Sequence, residues 1–249
     1  MRSIGKLEGS TLHASDGDIG RVREAYFDDE AWAIRYLVVD TGGWLTARDV
    51  LISPYSVQQP LGSGGIIDVA LTRDQVERSP PIDTHQPVSR RHEREYLDYY
   101  GYPLYWTGGS LWAMGAYPVL APVPATDAER GLIEREVPPE DMHLRSTADV
   151  TGYAIQAGDG GIGHVEDFLF DDESWAVRYL VVDTRNWWPG GKKVLLATRS
   201  IERVDWAQSK VFTGLTREAV KNSPDYDESA ERDYDSRLYD AERNQGHWS

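Results

Sequence analysis

Six histidines are the first candidates for metal or catalytic chemistry in this 249-residue chain. Metal-binding histidines usually recur at a short, fixed spacing on one helix or strand, and no two of these do so clearly. They are His13, His85, His92, His143, His164 and His247. We therefore predict no metal site and no cofactor.

Two acidic stretches, Asp28-Asp-Glu and Asp171-Asp-Glu, could offer oxygen ligands to a hard cation such as calcium. They lack the alternating ligands and closing glutamate of a dedicated calcium loop. A plain hairpin turn is the favoured interpretation, and cation binding is the alternative. With a net charge of −15, carboxylates that lie near each other in sequence do not indicate acid–base catalysis.

Other catalytic signatures are missing from the sequence. The run Gly160-Gly-Ile-Gly is too short for a dinucleotide-binding fingerprint, and there is neither a nucleophile elbow nor a phosphate loop. The absence of cysteine removes thiolate catalysis and cysteine-bound metals. We predict that the protein is not an enzyme; a site between the two halves of the chain is the alternative.

Charge and hydropathy limit the partners and the location. A strongly acidic chain without a basic patch is a poor nucleic-acid binder. No apolar run approaches the roughly 18–20 residues needed to span a bilayer, and the first residues lack the apolar centre of a secretory signal. We expect a cytoplasmic protein that does not insert into membranes.

An internal repeat provides the elements that position these side chains. Residues 16–41 and 159–184 align without a gap, and 18 of the 26 positions are identical. Each copy predicts two strands joined by the acidic loop. If Phe27 faced Trp32 across that loop, Glu24 would face Arg35, and in the second copy Asp167 would face Arg178. We predict these two structural cross-strand pairs.

Later segments of each copy predict further short strands and a terminal helix. The strands are expected at residues 50–52, 56–59 and 65–71, and at 193–196, 201–205 and 210–215. Thr72 begins a capping box and Thr216 is a plausible N-cap. The sequence therefore predicts a mainly β protein with two small antiparallel barrels, each followed by a short helix and related by a pseudo-two-fold axis.

At these residues the chain resembles the PRC-barrel domain family. The resemblance lies in a glycine-rich turn and strand, the acidic loop, and a W-x-[IV]-R-Y-L-V-V-D strand. These shared runs are residues 17–22, 32–40, 160–165 and 175–183. The resemblance covers roughly residues 1–82 and 147–226.

The resemblance implies a compact module that docks to proteins and carries no catalytic residues. Its members include the cytoplasmic domain of the photosynthetic reaction-centre H subunit and the C-terminal domain of a ribosome-maturation factor. We expect neither the transmembrane helix of the first protein nor the RNA-oriented domain of the second in this chain. Both functions therefore stay alternatives to a general adaptor role.

The unshared sequence defines the remaining domains. We predict a first repeat over 1–82, an aromatic and proline-rich connector with one helix over 83–146, a second repeat over 147–226, and an acidic tail over 227–249 that is mobile or helical. The connector carries too much aromatic surface to stay in water. It either packs on the repeats or forms a partner surface.

Five tryptophans are the predicted protein contacts, because large aromatic side chains make good anchors at interfaces. They are Trp44, Trp106, Trp112, Trp187 and Trp188. We predict an adaptor or scaffold that binds a protein partner or forms a homodimer. A small-molecule or cation-binding module is the alternative.

Overall fold

The computed structural model describes residues 1–45, 48–62, 64–81, 88–113, 115–120, 142–187, 189–223 and 225–229. The fold is mainly β, as predicted. The strands are β1 (Arg2–Ser3), β2 (Thr11–Ala14), β3 (Gly17–Asp28), β4 (Ala33–Asp40), β5 (Asp49–Ile52), β6 (Ile66–Asp68), β7 (Leu144–Ser146), β8 (Ala154–Ala157), β9 (Gly160–Phe170), β10 (Val177–Asp183), β11 (Lys193–Ala197), β12 (Ile201–Asp205) and β13 (Lys210–Thr213). The helices are α1 (Arg73–Glu77), α2 (Arg90–Tyr100), α3 (Thr147–Val150) and α4 (Arg217–Lys221).

The chain divides into two compact units. The first unit holds Lys6–Ala148 and Glu173–Ala176, and it contains the sheet β5-β4-β3-β2-β6. The second unit holds Met1–Gly5, Asp149–Asp172 and the described residues of Val177–Ser249, with the sheet β11-β10-β9-β8-β13-β12. The predicted boundaries were set where the sequence repeat begins and ends, whereas these units are set by which residues pack together. The connector therefore falls within the first unit, and Met1–Gly5 fall within the second.

Each unit receives one short strand from the chain that precedes the other repeat. In the first unit β7 pairs with β3, and Arg145 binds Asp29 at 2.7 Å. In the second unit β1 pairs with β9, and Arg2 binds Asp172 at 3.0 Å. These two additions occupy matching places in the repeat, because each strand lies beside the end of the long hairpin strand.

Among the described residues the predicted closed barrels are not formed, because neither ladder returns to its first strand. The physical reason is a corner in each unit. The chain leaves β5 or β11 through a 3-10 turn, Pro54–Ser56 or Thr198–Ser200, which interrupts ladder hydrogen bonding. The predicted strand at 56–59 is wrong for the same reason: Val57 forms only an isolated bridge with Val69.

The register predicted for the long hairpins is wrong. Phe27 pairs with Ile34, and the predicted partner Trp32 instead stacks on the Phe27 ring. The backbone of Trp32 has a φ of +50°, which takes it out of extended conformation, and two register shifts follow along β3. As a result Glu24 lies opposite Val38 and does not face Arg35.

The second hairpin departs from the prediction in the same way. Trp175 has a φ of +60°, and Phe170 pairs with Val177. Asp167 consequently lies opposite Val181 and does not face Arg178.

The helix predictions are confirmed. Thr72 and Gln75 form the reciprocal capping box, and the Thr216 hydroxyl accepts a hydrogen bond from the Ala219 amide. The connector helix α2 ends at Gly101 with a φ of +69°, as a left-handed C-cap requires. The acidic tail lies outside the described residues from 230 onward.

The repeated Asp-Gly-x-Ile-Gly motif joins the start of the long strand to the terminal helix. A carboxylate oxygen of Asp16 accepts a hydrogen bond from the Arg73 amide at 2.8 Å, and Asp159 does the same for Arg217 at 2.7 Å. Each acceptor satisfies an amide that the first helical turn leaves without a partner. The motif therefore ties the start of the long strand to the terminal helix in both repeats.

Replacing Gly20 by alanine is expected to reduce the free energy of unfolding by about 1–3 kcal/mol, the usual cost of overpacking. A Cβ at this position would overlap the backbone carbonyl of Asp40, which cannot move without disturbing β4. Gly43→Ala is the matched control, since its added carbon would meet nothing within 4 Å. Urea unfolding of both variants measures the difference; equal stabilities would contradict the close strand contact.

Candidate functional site

The Arg35 side chain lies in the core of the first unit, with 3% of its surface exposed. It forms an ion pair with Asp28 at 3.3 Å and donates a hydrogen bond to the Leu111 carbonyl at 2.6 Å. Its guanidinium also lies 3.9 Å from the centre of the Tyr105 ring and 4.8 Å from that of Trp112. Three of these partners belong to the connector, which therefore completes the core of the first repeat.

Asp28 closes the acidic hairpin loop. Its carboxylate accepts hydrogen bonds from the amides of Glu30 and Ala31 at 3.0 and 2.9 Å. Burial would raise the pKa of Asp28, but Arg35 and these amides outweigh it and hold the pKa below its usual value. The loop thus uses this carboxylate for a turn and an ion pair, which supports the hairpin interpretation over a calcium site.

A second buried polar cluster surrounds Glu93 on α2. The hydroxyl groups of Tyr36 and Tyr105 donate to its carboxylate, the Tyr36 bond measuring 3.1 Å. Arg90 lies 3.5 Å away and the His143 ring 3.3 Å away. Burial raises the pKa of Glu93 to about 7, although Arg90 and the two hydroxyl groups favour the charged form.

The Glu93 cluster has the residue types of an acid–base site but not the access. The carboxylate of Glu93 is fully buried, and Tyr105 and His143 are 2% and 3% exposed. A substrate could not reach these groups in this conformation. The cluster is therefore a buried polar network that attaches the connector to β4.

The second repeat leaves the corresponding arginine in water. Arg178 occupies the position of Arg35, but its side chain is 53% exposed and lies 3.8 Å from Asp171. The repeats therefore share this sequence position but differ in what covers it.

The other predicted acids have local partners. Glu24 binds Arg23 at 2.9 Å and accepts a hydrogen bond from the Ser146 hydroxyl. Asp167 accepts hydrogen bonds from the amides of Gly5 and Phe168. Both acids thus help to hold the added strands β7 and β1 or the segments beside them.

Two predicted contact tryptophans lie in the connector. Trp112 is 3% exposed, and its indole donates a hydrogen bond to the Ser174 carbonyl at 2.7 Å. Trp106 is half-buried, with the Arg90 guanidinium 4.4 Å from its ring centre. In this chain Trp112 is a core residue of the first unit, which makes it unsuitable as an external anchor.

The corresponding loops after β4 and β10 place their tryptophans differently. Trp44 is half-buried: its indole donates to the Ile19 carbonyl at 2.5 Å, and Arg73 lies 4.3 Å from its ring centre. Trp187 rests against Gly161 but remains 41% exposed. Trp188 lies outside the described residues. Among the described candidates Trp187 is the most exposed.

One cluster in the described part of the second unit has metal-ligand composition: His164, Glu166 and Asp183, with one ligand atom of each within 4.8 Å of the others. Its carboxylates already have cationic partners. Lys193 binds Glu166 at 2.6 Å, and Arg185 binds Asp183 at 2.5 Å. These contacts indicate ion pairs, one between β9 and β11 across the intervening β10 and one between Asp183 and Arg185 just beyond the end of β10.

The first repeat supports that interpretation. There Arg23 binds Asp49 at 2.6 Å, at the positions that Glu166 and Lys193 occupy in the second repeat. The same cross-strand ion pair is thus kept with its charges exchanged. An ion pair that recurs in both repeats with its acidic and basic residues exchanged is typical of a stabilising contact and not of a metal site.

Sequence reasoning missed the Glu93 cluster. In the sequence His143 is one of six scattered histidines without a partner at metal-ligand spacing, yet the fold joins it to Glu93 across 50 residues of chain. A usable signal was the spacing of Glu93, Tyr96 and Leu97, which places one acid on the apolar face of a helix. Nothing local identified His143.

Comparison with known proteins agrees with the geometry of the first repeat. A family model described as PRC-barrel domain matches the sequence from residue 2 to residue 74. Residues 2–74 are similar to a PRC-barrel domain. The matched segment begins with β1 and ends in α1, and it includes the motif that ties the long strand to that helix.

A curated relative extends the comparison without adding a function. An uncharacterized protein of Deinococcus radiodurans is 37% identical over 75 residues, which cover 28% of this chain and 25% of the relative. The chain thus spans about a quarter of that relative's length. None of the described helices is long and apolar enough to cross a membrane.

Proposed function

We propose that this chain is a non-catalytic adaptor that binds protein partners through the loop around Trp187 in its second PRC-barrel-like repeat. The observation that carries this proposal is the 41% exposure of Trp187, beside the half-buried state of its counterpart Trp44. An exposed tryptophan on a loop between two strands can gain much free energy when a partner covers it.

The surroundings of Trp187 suit a protein contact. Gly161 beneath the ring leaves room for the indole to lie flat on the sheet. Arg185, bound to Asp183, presents an exposed guanidinium next to it. A central aromatic group with charged neighbours is the usual composition of an interface hot spot.

The wider proposal is a cytoplasmic protein with two β-sheet modules of similar sequence. The first module is completed by its own connector, whereas the second offers its surface to other proteins. A homodimer would use the same loop. The burial of the Glu93 cluster favours a structural role over catalysis.

Replacing Trp187 by alanine is expected to weaken partner binding by at least about tenfold, as loss of a hot-spot tryptophan does. The measurement is quantitative mass spectrometry of proteins captured from the native cells on the immobilised full chain, followed by affinity measurement with the purified partner. Ile66→Ala is the control, because Ile66 is an exposed apolar residue of the first unit. Equal affinities for wild type and Trp187→Ala would contradict the proposal.

Light scattering during size exclusion separates self-association from binding to another protein. A dimer that Trp187→Ala dissociates would identify a second copy as the partner. A monomer across the micromolar range would exclude the homodimer and leave the heterologous adaptor.

A further inference from the structure

Arg217 is an exposed cation beside the Trp187 loop of the second unit. Its amide donates to a carboxylate oxygen of Asp159 at 2.7 Å, but among the residues that the structure describes its guanidinium has neither an ion pair nor a ring contact. The side chain passes over Gly160, where an added Cβ would lie 3.3 Å from its Cδ. An added Cβ on the next residue, Gly161, would overlap the Trp187 ring. Arg217 and Trp187 therefore contact consecutive residues at the start of β9.

The equivalent arginine of the first repeat is paired within its own unit. Arg73 starts in the same way, since its amide donates to Asp16 and its Cδ would lie 3.4 Å from a Cβ on Gly17. Its guanidinium then lies 4.3 Å from the centre of the Trp44 ring, and the Trp44 indole donates to the Ile19 carbonyl. The first repeat thus joins its arginine to its own tryptophan, whereas the second repeat leaves Arg217 without such a contact.

One difference in sequence accompanies this change. Asp18 occupies the position of Gly161 in the first repeat, and its carboxylate binds His13 at 2.7 Å. Gly161 has no side chain, so the Trp187 ring lies directly against its backbone. The second repeat therefore makes room for the indole on the strand and also lacks the carboxylate that the first repeat has in this turn.

Two neighbouring acids of the second unit already have cationic partners. Arg185 binds Asp183 at 2.5 Å, and Lys193 binds Glu166 at 2.6 Å. Arg217 adds a positive charge that no described side chain neutralises by direct contact, although the whole chain carries a net charge of −15. A guanidinium in this position is complementary to an acidic side chain of another protein.

We infer that the partner of the Trp187 loop presents an aspartate or glutamate, whose carboxylate binds Arg217 while its methylene carbons pack on the indole. The planar guanidinium matches a carboxylate through two parallel hydrogen bonds. A single arginine suits a carboxylate, whereas phosphorylated motifs are usually bound by clusters of arginines. The inference rests on the proposed function, because it names the chemistry that the same loop recognises.

A titration with a defined acidic peptide tests the inference. The probe is a short synthetic peptide of alternating glutamate and serine residues with blocked termini, and the comparison peptide has glutamine in place of every glutamate. Nuclear magnetic resonance of the isotope-labelled full chain follows the indole N–H of Trp187 and the Nε–H of Arg217. Both signals are expected to shift at lower concentrations of the glutamate peptide than of the glutamine peptide.

Arg217→Gln is expected to weaken binding of the glutamate peptide by at least about threefold, because it removes the charge of the side chain. The backbone amide that binds Asp159 is kept in this variant, so the start of the helix is not disturbed. Arg73→Gln is the matched control and should leave the affinity unchanged, since Arg73 stacks on Trp44. Equal affinities for the two peptides, or for wild type and Arg217→Gln, would overturn the inference.

The same variants separate this inference from the proposed function. Loss of affinity for the native partner in Trp187→Ala but not in Arg217→Gln would overturn the inference and leave the adaptor function standing. Unchanged partner affinity in Trp187→Ala would contradict the adaptor function and, with it, an acidic partner at this loop. Parallel losses in both variants, with binding of the glutamate peptide, are the result that we expect.

Discussion

Replacing Arg35 by alanine is expected to reduce the free energy of unfolding by about 3–5 kcal/mol, the cost of breaking a buried ion pair from one side. The substitution leaves the buried carboxylate of Asp28 without its cation. It also removes the group that contacts the Tyr105 and Trp112 rings and the Leu111 carbonyl, which leaves a cavity under the connector.

Arg178→Ala is the matched control for this experiment. The same residue in the second repeat is half exposed and pairs weakly with Asp171, so its loss should cost less than about 0.5 kcal/mol. Urea unfolding of the two variants and the wild type measures the difference. Equal losses for both arginines would contradict the buried position of Arg35.

The wild-type protein is expected to lose stability as the pH rises from about 4.5 to about 7, because of Glu93. Burial raises the pKa of Glu93 in the folded chain to about 7, from 4.5 in the unfolded chain. The folded state therefore holds the proton more tightly, and folding is favoured below the unfolded pKa. As the pH passes the folded pKa this advantage is lost, by about 3 kcal/mol if Glu93 acts alone.

Glu93→Gln should remove this pH dependence, since glutamine does not titrate. The variant is expected to be as stable as wild type or more so at pH 8, and its advantage should shrink toward pH 5. Glu95→Gln on the exposed side of the same helix is the control. His143 also faces Glu93, and the lowered pKa of Asp28 places its effect at lower pH. The contribution of Glu93 is therefore read from the difference in free energy of unfolding between variant and wild type at each pH. Parallel pH profiles would contradict a buried, titrating Glu93.

Most strands and the terminal helices could be predicted from the sequence because the same pattern occurs in both repeats. Asp16 and Asp159 precede glycines at equivalent positions, and in each repeat the aspartate accepts a hydrogen bond from the start of the terminal helix. Patterns that depend on neighbours in sequence, such as the capping box at Thr72, were equally accessible.

The register of the long hairpins was not accessible in the same way. Trp32 and Trp175 look like ordinary strand residues, yet both adopt positive φ and leave the ladder. Nothing in their side chains signals this conformation, and a single such residue moves every later pair. The prediction of Glu24 opposite Arg35 failed for that reason, and Arg35 instead forms its ion pair with Asp28.

The sequence also could not predict that the connector covers Arg35 in the first repeat while Arg178 in the second repeat stays exposed. Arg35 and Arg178 are followed by the same five residues, Tyr-Leu-Val-Val-Asp, and differ in what packs over them. That depends on Tyr105 and Trp112, which lie 70 and 77 residues from Arg35 along the chain. The exchanged ion pair of Arg23–Asp49 and Glu166–Lys193, by contrast, is visible once the two copies are aligned with the one-residue offset.

Hydroxyl-radical footprinting of the unmodified protein tests the central claim most directly. That claim is that Trp112 of the connector is buried in the first unit whereas Trp187 of the second repeat is exposed. Oxidation of each tryptophan is followed by mass spectrometry and divided by its rate in the unfolded chain. Trp187, which is 41% exposed, should be oxidised severalfold faster than Trp112, which is 3% exposed. Equal protection of the two side chains, or faster oxidation of Trp112, would contradict the account.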